Sequence, residues 1–147
     1  MRTVQDVMTR GVEVLHPDAT LREAAEKMRR LNVGPLPVCD GDRLVGLVTD
    51  RDIVVRGIAM GHDPNTSRIS SVMSEDLESI HPRASLAEAA ALMKDKQLRR
   101  RLVVDDDGKL VGLVSLGDLA READDTTAGQ TLEGVSEPSR EPSRPTR

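Results

Sequence analysis

Gly46-Leu47-Val48-Thr49-Asp50-Arg51-Asp52 and Gly112-Leu113-Val114-Ser115-Leu116-Gly117-Asp118 share one pattern, Gly-apolar-apolar-hydroxyl-x-x-Asp, at a point where an apolar strand-like run gives way to a helical one. They are one part of a longer repetition in the 147-residue chain. Upstream, Val7-Met8-Thr9 through Leu15-His16-Pro17-Asp18-Ala19-Thr20-Leu21-Arg22-Glu23-Ala24-Ala25 returns 65 residues later as Val72-Met73-Ser74 through Ile80-His81-Pro82-Arg83-Ala84-Ser85-Leu86-Ala87-Glu88-Ala89-Ala90. After one inserted residue near Asp106 the offset becomes 66, and Leu44-Val45-Gly46-Leu47-Val48-Thr49 returns as Leu110-Val111-Gly112-Leu113-Val114-Ser115. Two copies of one unit imply pseudo-twofold symmetry: a cleft built by the first copy is built again by the second with different side chains.

A single unit of about 60 residues is marginal alone, so the two copies are expected to fold as a pair. With no Phe, Tyr or Trp, the core must be packed from Val, Leu, Ile, Met and Ala. The same absence argues against nucleic acid as a partner, because single-stranded binders stack bases on aromatic rings, and a net charge of −4 disfavours general phosphate-backbone binding. One cysteine, Cys39, excludes an intramolecular disulfide. There is no basic-then-apolar leader and no apolar run of about 18 residues, so the expectation is a soluble cytoplasmic protein without membrane association. From about residue 123 the chain is polar and rich in Pro, Ser and Arg, and residues 123–147 read as a disordered tail.

The unit reads as β-α-β-β-α. Thr20-Leu21-Arg22-Glu23 and Ser85-Leu86-Ala87-Glu88 both fit a capping box, in which hydroxyl and carboxylate satisfy N–H groups at a helix start. Leu21, Ala24, Ala25, Met28 and Leu31 share one helical face, Leu86, Ala89, Ala90 and Met93 another, and Asn32 with Gly34 supplies a stop. Hairpins follow from Leu36–Cys39 to Leu44–Thr49 and from Leu102–Val104 to Leu110–Ser115. Second helices then run roughly from Asp50 to Met60 and from Leu116 to Glu122. Residues 3–60 and 68–122 form the two repeats, joined by a turn-rich linker at 61–67.

At the shared motif, a helix start offers free N–H groups and a positive dipole end, which welcome an anion such as phosphate. Thr49 or Ser115 can donate to it, and Asp52 or Asp118, one turn on, can accept from two neighbouring hydroxyls such as a ribose edge presents. Gly46 and Gly112 leave backbone uncovered where a flat base could approach. The competing reading is structural, since hydroxyl-x-x-acid before an apolar run is also an ordinary capping box. One turn of helix can be capped and still face a ligand.

The β-α-β-β-α unit, the Val-Met opening, the His-Pro turn, Leu36-Pro37-Val38-Cys39-Asp40 and the Gly-x-x-Thr/Ser-x-x-Asp ending together resemble the CBS domain, and two in tandem resemble a CBS pair, or Bateman module, over about residues 3 to 122. The resemblance implies an α+β fold of two repeats packed with pseudo-twofold symmetry. It also implies a regulatory module with no required cofactor that binds an adenosyl ligand (AMP, ADP, ATP, S-adenosylmethionine, NAD or a cyclic dinucleotide) in clefts between the repeats. Such a module signals to a regulated partner protein through conformation or homodimerisation. Carried over by motif position, Asp52 and Asp118 would hold ribose, Thr49 and Ser115 would meet phosphate or ribose, and Val33, Gly34, Leu98 and Arg99 would line the base. The second copy departs from the pattern: Leu36 and Pro37 become Arg101 and Leu102, and Arg99-Arg100-Arg101 is either a phosphate contact or a solvated strand entrance.

His16, His62, His81 and Cys39 lack the spacing of a zinc site, so no metal is expected, and Cys39 reads as a small core residue. No nucleophile stands beside Asp52 or Asp118, so no catalytic residue is assigned and an enzyme is not expected. The alternative to a ligand sensor is a structural or protein-interaction module without a small-molecule ligand.

Overall fold

The two hydroxyl-x-x-Glu sequences start helices as their spacing requires. In the computed structural model, which describes residues 2–97 and 99–125, the Thr20 and Ser85 hydroxyls each accept from the N–H of the Glu three residues on, at 3.1 Å, and Glu23 and Glu88 each accept from the Thr20 or Ser85 N–H at 2.8 Å. Helices α2 (Leu21–Leu31) and α3 (Leu86–Lys96) follow, after a short α1 (Val4–Val7). α2 buries Leu21, Ala24 and Met28, and α3 buries Ala89, Ala90 and Met93, the stripes that the spacing selects, while Ala25 stays exposed. Both helices end on a left-handed residue, Asn32 (φ 58°) and Gln97 (φ 56°), so Asn32 rather than Gly34 makes the first stop.

Two hairpins come next, β1 (Leu36–Asp40) with β2 (Arg43–Val48), and β4 (Arg100–Val104) with β5 (Leu110–Ser115). Their registers match, Val38 opposite Gly46 and Val103 opposite Gly112, and each bulges at the following residue. The opening strand of the unit is shorter than expected. In the second repeat it is β3 (Ser79–Ile80), parallel to β4, and in the first it shrinks to one parallel bridge between Leu15 and Val38, at the position equivalent to Ile80 and Val103.

The terminal helices differ. α4 (Leu116–Asp125) is regular and runs three residues past the boundary expected for the tail, the rest of which lies outside the described residues. Its counterpart after β2 winds widely over Asp52–Gly57 and tightens over Ile58–Met60. Gly57 lies against α2 there: a Cβ would stand 2.8 Å from Leu21 Cδ1. No helix among the described residues is long and apolar enough to cross a membrane.

The sequence repeats are contiguous, but the folded units are not. One compact unit takes residues up to Val12 with those from Glu78 on, and the other takes Glu13–Leu77. The opening of the first repeat thus belongs to the core of the second: Val4, fully buried, packs with Ala89, Met93, Val114 and Leu119. Reciprocally, Ile69, Val72 and Met73 from the opening of the second repeat pack with Leu21, Val38 and Val48. Each opening then adds a two-bond bridge to a hairpin. Thr9 exchanges N–H···O bonds of 2.8 and 3.0 Å with Leu113, and Ser74 exchanges bonds of 2.8 and 2.9 Å with Leu47.

Glycine is needed under these bridges. Met73 lies on Gly46, where a Cβ would overlap its sulfur and stand 3.0 Å from its Cγ. At Gly112 a Cβ would stand 2.9 Å from both Met8 Cγ and the Thr9 carbonyl oxygen.

The inserted residue lies in the turn between β4 and β5. Asp105 Oδ1 accepts from the N–H groups of Asp107 and Lys109, freeing Asp106 to reach His81, whose Nε2 lies 2.9 Å from Asp106 Oδ1. The Arg83 N–H donates to His81 Nδ1, which puts the ring proton on Nε2. The His81 hydrogen bond, with the Arg83 hydrogen bond and the Arg83 charge behind it, holds the Asp106 carboxyl below its usual range. A depressed folded pKa contributes stability above the ordinary aspartate range, and the contribution is lost as pH falls through the depressed value.

Overpacking of a tight site costs about 1–3 kcal/mol. Gly112→Ala is expected to destabilise more than Gly46→Ala, because the methionine tail can yield and the Thr9 backbone, bonded both ways, cannot. Urea unfolding followed by circular dichroism measures both, and equal losses would contradict the role given to the Thr9 backbone at Gly112.

Candidate functional site

The two strand-helix junctions have the same geometry. The Asp52 Oδ2 accepts from the Thr49 N–H at 2.9 Å, and the Thr49 hydroxyl accepts from the Asp52 N–H at 3.1 Å. Ser115 and Asp118 repeat the arrangement at 2.9 and 3.1 Å. Both pairs are therefore reciprocal caps, and each carboxylate spends one oxygen on capping. The second oxygens differ. Asp52 Oδ1 has the Arg56 guanidinium 3.9 Å away, while Asp118 Oδ1 accepts from Arg121 at 2.5 Å. The Arg121 side chain is largely exposed, and Asp52 and Asp118 are mostly covered at 20% and 11%. An ionised carboxylate has about four acceptor positions, so capping leaves capacity for a hydroxyl pair at either junction.

The residues assigned to a base fall around these junctions unevenly. The antiparallel register Leu36↔Val48 runs the strand entrance that carries Val33 and Gly34 back toward Thr49; Gly34 is buried and Val33 packs on the core of its unit. In the second repeat the Arg99 carbonyl accepts from the Leu116 N–H at 2.9 Å, placing that backbone against the Ser115–Leu116 turn. Leu98 lies outside the described residues. Gly46 and Gly112 need correction. The space over them holds Met73 and Met8, so their lack of a Cβ serves the packing of the opening segments and not the approach of a base.

Arg101 is the residue that sequence reasoning noted without selecting. It is the one charged side chain among the buried residues described, at 7% exposure. Its Nη2 donates to the Ser79 carbonyl at a long 3.4 Å, and its Nη1 lies 3.5 Å from Glu78 Oε1. Neither Nε nor Nη1 makes a hydrogen bond. The first repeat handles the equivalent positions differently. Glu13 and the Val14 carbonyl, counterparts of Glu78 and Ser79, are both held by Lys27 from α2, at 3.1 and 2.6 Å. The position of Arg101 is there Leu36, and that of Lys27 becomes Leu92 in the second repeat. The cation has moved from helix to strand, and a guanidinium with five N–H groups has replaced an ammonium with three. The available signal was the loss of Leu-Pro from the second copy.

Cys39 is buried, and burial with the nearby Asp42 charge pushes its thiol above the ordinary range, which suits a core residue rather than a nucleophile. Among the described residues no group of three or more His, Cys, Asp or Glu side chains could hold a metal ion.

The model of the CBS domain family matches this chain twice, at residues 4–57 and 69–125. The chain belongs to the CBS domain family. It is 43% identical over 137 residues to the CBS domain-containing protein YhcV of Bacillus subtilis, covering 92% of this chain and 96% of the relative. A crystal structure of Hypoxic Response Protein I with two coordinated zinc ions aligns with a TM-score of 0.72 and 39% identity over 83% of this chain and 99% of that one. The crystal structure of CBSX2, a CBS-pair protein of Arabidopsis thaliana, in complex with AMP aligns with a TM-score of 0.71 and 28% identity over 86% and 99%.

A carboxamide keeps an oxygen for the capped N–H, so Asp52→Asn and Asp118→Asn are each expected to cost less than about 1 kcal/mol. Alanine, which removes the cap, is expected to cost about 1–2 kcal/mol. Denaturant melts of the four variants check this, and a large loss in the Asn variants would mean that the charge itself holds the fold.

Proposed function

We propose that this chain is a regulatory module that binds an adenosine-containing ligand at the Thr49/Asp52 and Ser115/Asp118 junctions. The observation that carries the reading is the recurrence, in both repeats, of a capped helix start whose acid keeps acceptor capacity beyond the cap. The ribose diol would donate to Asp52 or Asp118, the Thr49 and Ser115 hydroxyls would meet phosphate or ribose, and Val33, Gly34, Leu98 and Arg99 would flank the base. The AMP complex of CBSX2 supports this ligand class.

Occupancy would reach a separate regulated protein as a population shift, limited by the difference in affinity between the two conformations. Homodimerisation, the other output that family membership suggests, has a candidate surface in Val54, Val55, Ile58 and Met60, all 42–72% exposed on the segment after β2. The rival reading, an interaction module without a ligand, draws on the same caps, since capping alone accounts for the hydroxyl and the acid at each junction.

With no Trp or Tyr, intrinsic fluorescence is blind to binding. Calorimetry and circular-dichroism melting against AMP, ATP, S-adenosylmethionine and cyclic di-AMP are the direct tests. A true ligand at 100 times its Kd is expected to stabilise the fold by about 2.7 kcal/mol. Asp52→Asn and Asp118→Asn together should abolish that gain while the free protein melts nearly as before. No response to any of the four would favour the interaction module.

A further inference from the structure

The two junctions differ at the carboxylate oxygen that capping leaves over. Asp118 Oδ2 accepts from the Ser115 N–H, and Oδ1 accepts from Arg121 Nη2 at 2.5 Å. Asp52 Oδ1 is approached by the Arg56 guanidinium at 3.9 Å, too far for a hydrogen bond. Resting on the adenosyl reading above, we propose that Arg121 masks the Asp118 oxygen that a ribose hydroxyl needs, and yields it to a ligand whose phosphate takes the guanidinium instead. The second repeat thereby selects phosphorylated adenosyl ligands over uncharged ones, and the first imposes no such condition.

Arg121 stands at the junction itself. It is three residues beyond Asp118 on α4, where side chains share a face. Its guanidinium folds back over the first turn: a Cβ built on Gly117 would meet Arg121 Nη1 at 3.8 Å and Ser115 Oγ at 3.6 Å. The Ser115 hydroxyl accepts from the Asp118 N–H and keeps its own hydrogen to donate. Two donors, one of them charged, thus flank the bare Cα of Gly117 at the positive end of the helix. A phosphate beside that turn meets both.

Exposure makes the exchange cheap. The Arg121 side chain is 74% exposed while that of Asp118 is mostly covered, so the guanidinium moves through water and the acid stays in place. An ion pair open to solvent on one side costs little to separate, and a phosphate offers the guanidinium a stronger bidentate partner. Adenosine has no anion to offer. Its hydroxyls must compete with a charge-assisted hydrogen bond for the same oxygen.

The first repeat lacks the device. Val55 occupies the position of Arg121, and Arg51 that of Gly117. Arg56, which approaches Asp52 from four residues on, corresponds to Glu122, and Glu122 is held by Arg2 at 2.7 Å.

Calorimetry with AMP and with adenosine on Asp52→Asn protein, which keeps the second junction intact, tests the mask. That protein should bind AMP about tenfold more tightly than adenosine. Adding Arg121→Ala should weaken AMP about threefold and tighten adenosine about threefold, so that the preference disappears. In Asp118→Asn protein, which keeps the first junction, Arg121→Ala should alter neither Kd. Arg121→Gln, which retains the stem without the charge, should reproduce these shifts, and circular-dichroism melting should show each variant folded like its parent. Three results overturn the mask and leave the adenosyl reading standing: a preference that survives Arg121→Ala, equal weakening of both compounds, or Asp52→Asn protein that binds neither although wild type binds. Wild-type protein that binds neither compound also overturns the mask, and the adenosyl reading falls with it if S-adenosylmethionine and cyclic di-AMP are inert as well.

Discussion

A methionine resting on a glycine, twice over, is the contact on which the arrangement of this chain depends. Met73 on Gly46 and Met8 on Gly112 lock the opening segment of each repeat beneath the hairpin of the other, and paired backbone bonds at Ser74–Leu47 and Thr9–Leu113 fix the register. Neither core is complete without its borrowed segment. Val4 is fully buried among residues more than 75 positions away, and a repeat cut out as a contiguous piece would lose such a residue and leave a cavity. The absence of aromatic side chains makes this sharing more important, because an aliphatic core of this size has little area to spare.

Duplication then lets the two halves hold the same backbone while their side chains diverge. The hairpin bulges, the Thr9–Leu113 and Ser74–Leu47 bridges and the caps coincide position for position, and beyond the shorter opening strand of the first repeat and its differently wound terminal helix, what differs is charge. Lys27 serves Glu13 from a helix in one half; Arg101 faces Glu78 from a strand in the other. At the junctions, Arg56 stays 3.9 Å from Asp52 while Arg121 holds Asp118 closely. Sites built on such a frame share their geometry yet differ in the charge they present, which is how one fold can bind related ligands unequally.

The junction acids show why a motif under-determines chemistry. Hydroxyl-x-x-Asp satisfies orphan N–H groups through local bonds, and those bonds are present in both repeats. Capping occupies one oxygen of each carboxylate, so finding it says nothing against a further role for the other lone pairs. The glycines taught the opposite lesson. Their recurrence is as strict as that of the acids, yet the cause is a methionine from a segment 27 residues further along in one case and 104 residues earlier in the other.

Much of the fold was legible in the order of residues because its determinants are local. Capping boxes act over three residues, helical faces over four, and turn residues over two, so α2, α3, both hairpins and the 65-residue repeat could be read directly, and the repeated motifs carried the family. Other features arise only when distant segments meet. The first strand of the first repeat shrinks to the Leu15–Val38 bridge, the helix after β2 widens where Gly57 meets Leu21, and Arg101 is buried beside Glu78, 23 residues earlier in the chain. Dispersion, desolvation and ion pairing act through space, and sequence separation carries no information about who will be adjacent until the chain has folded.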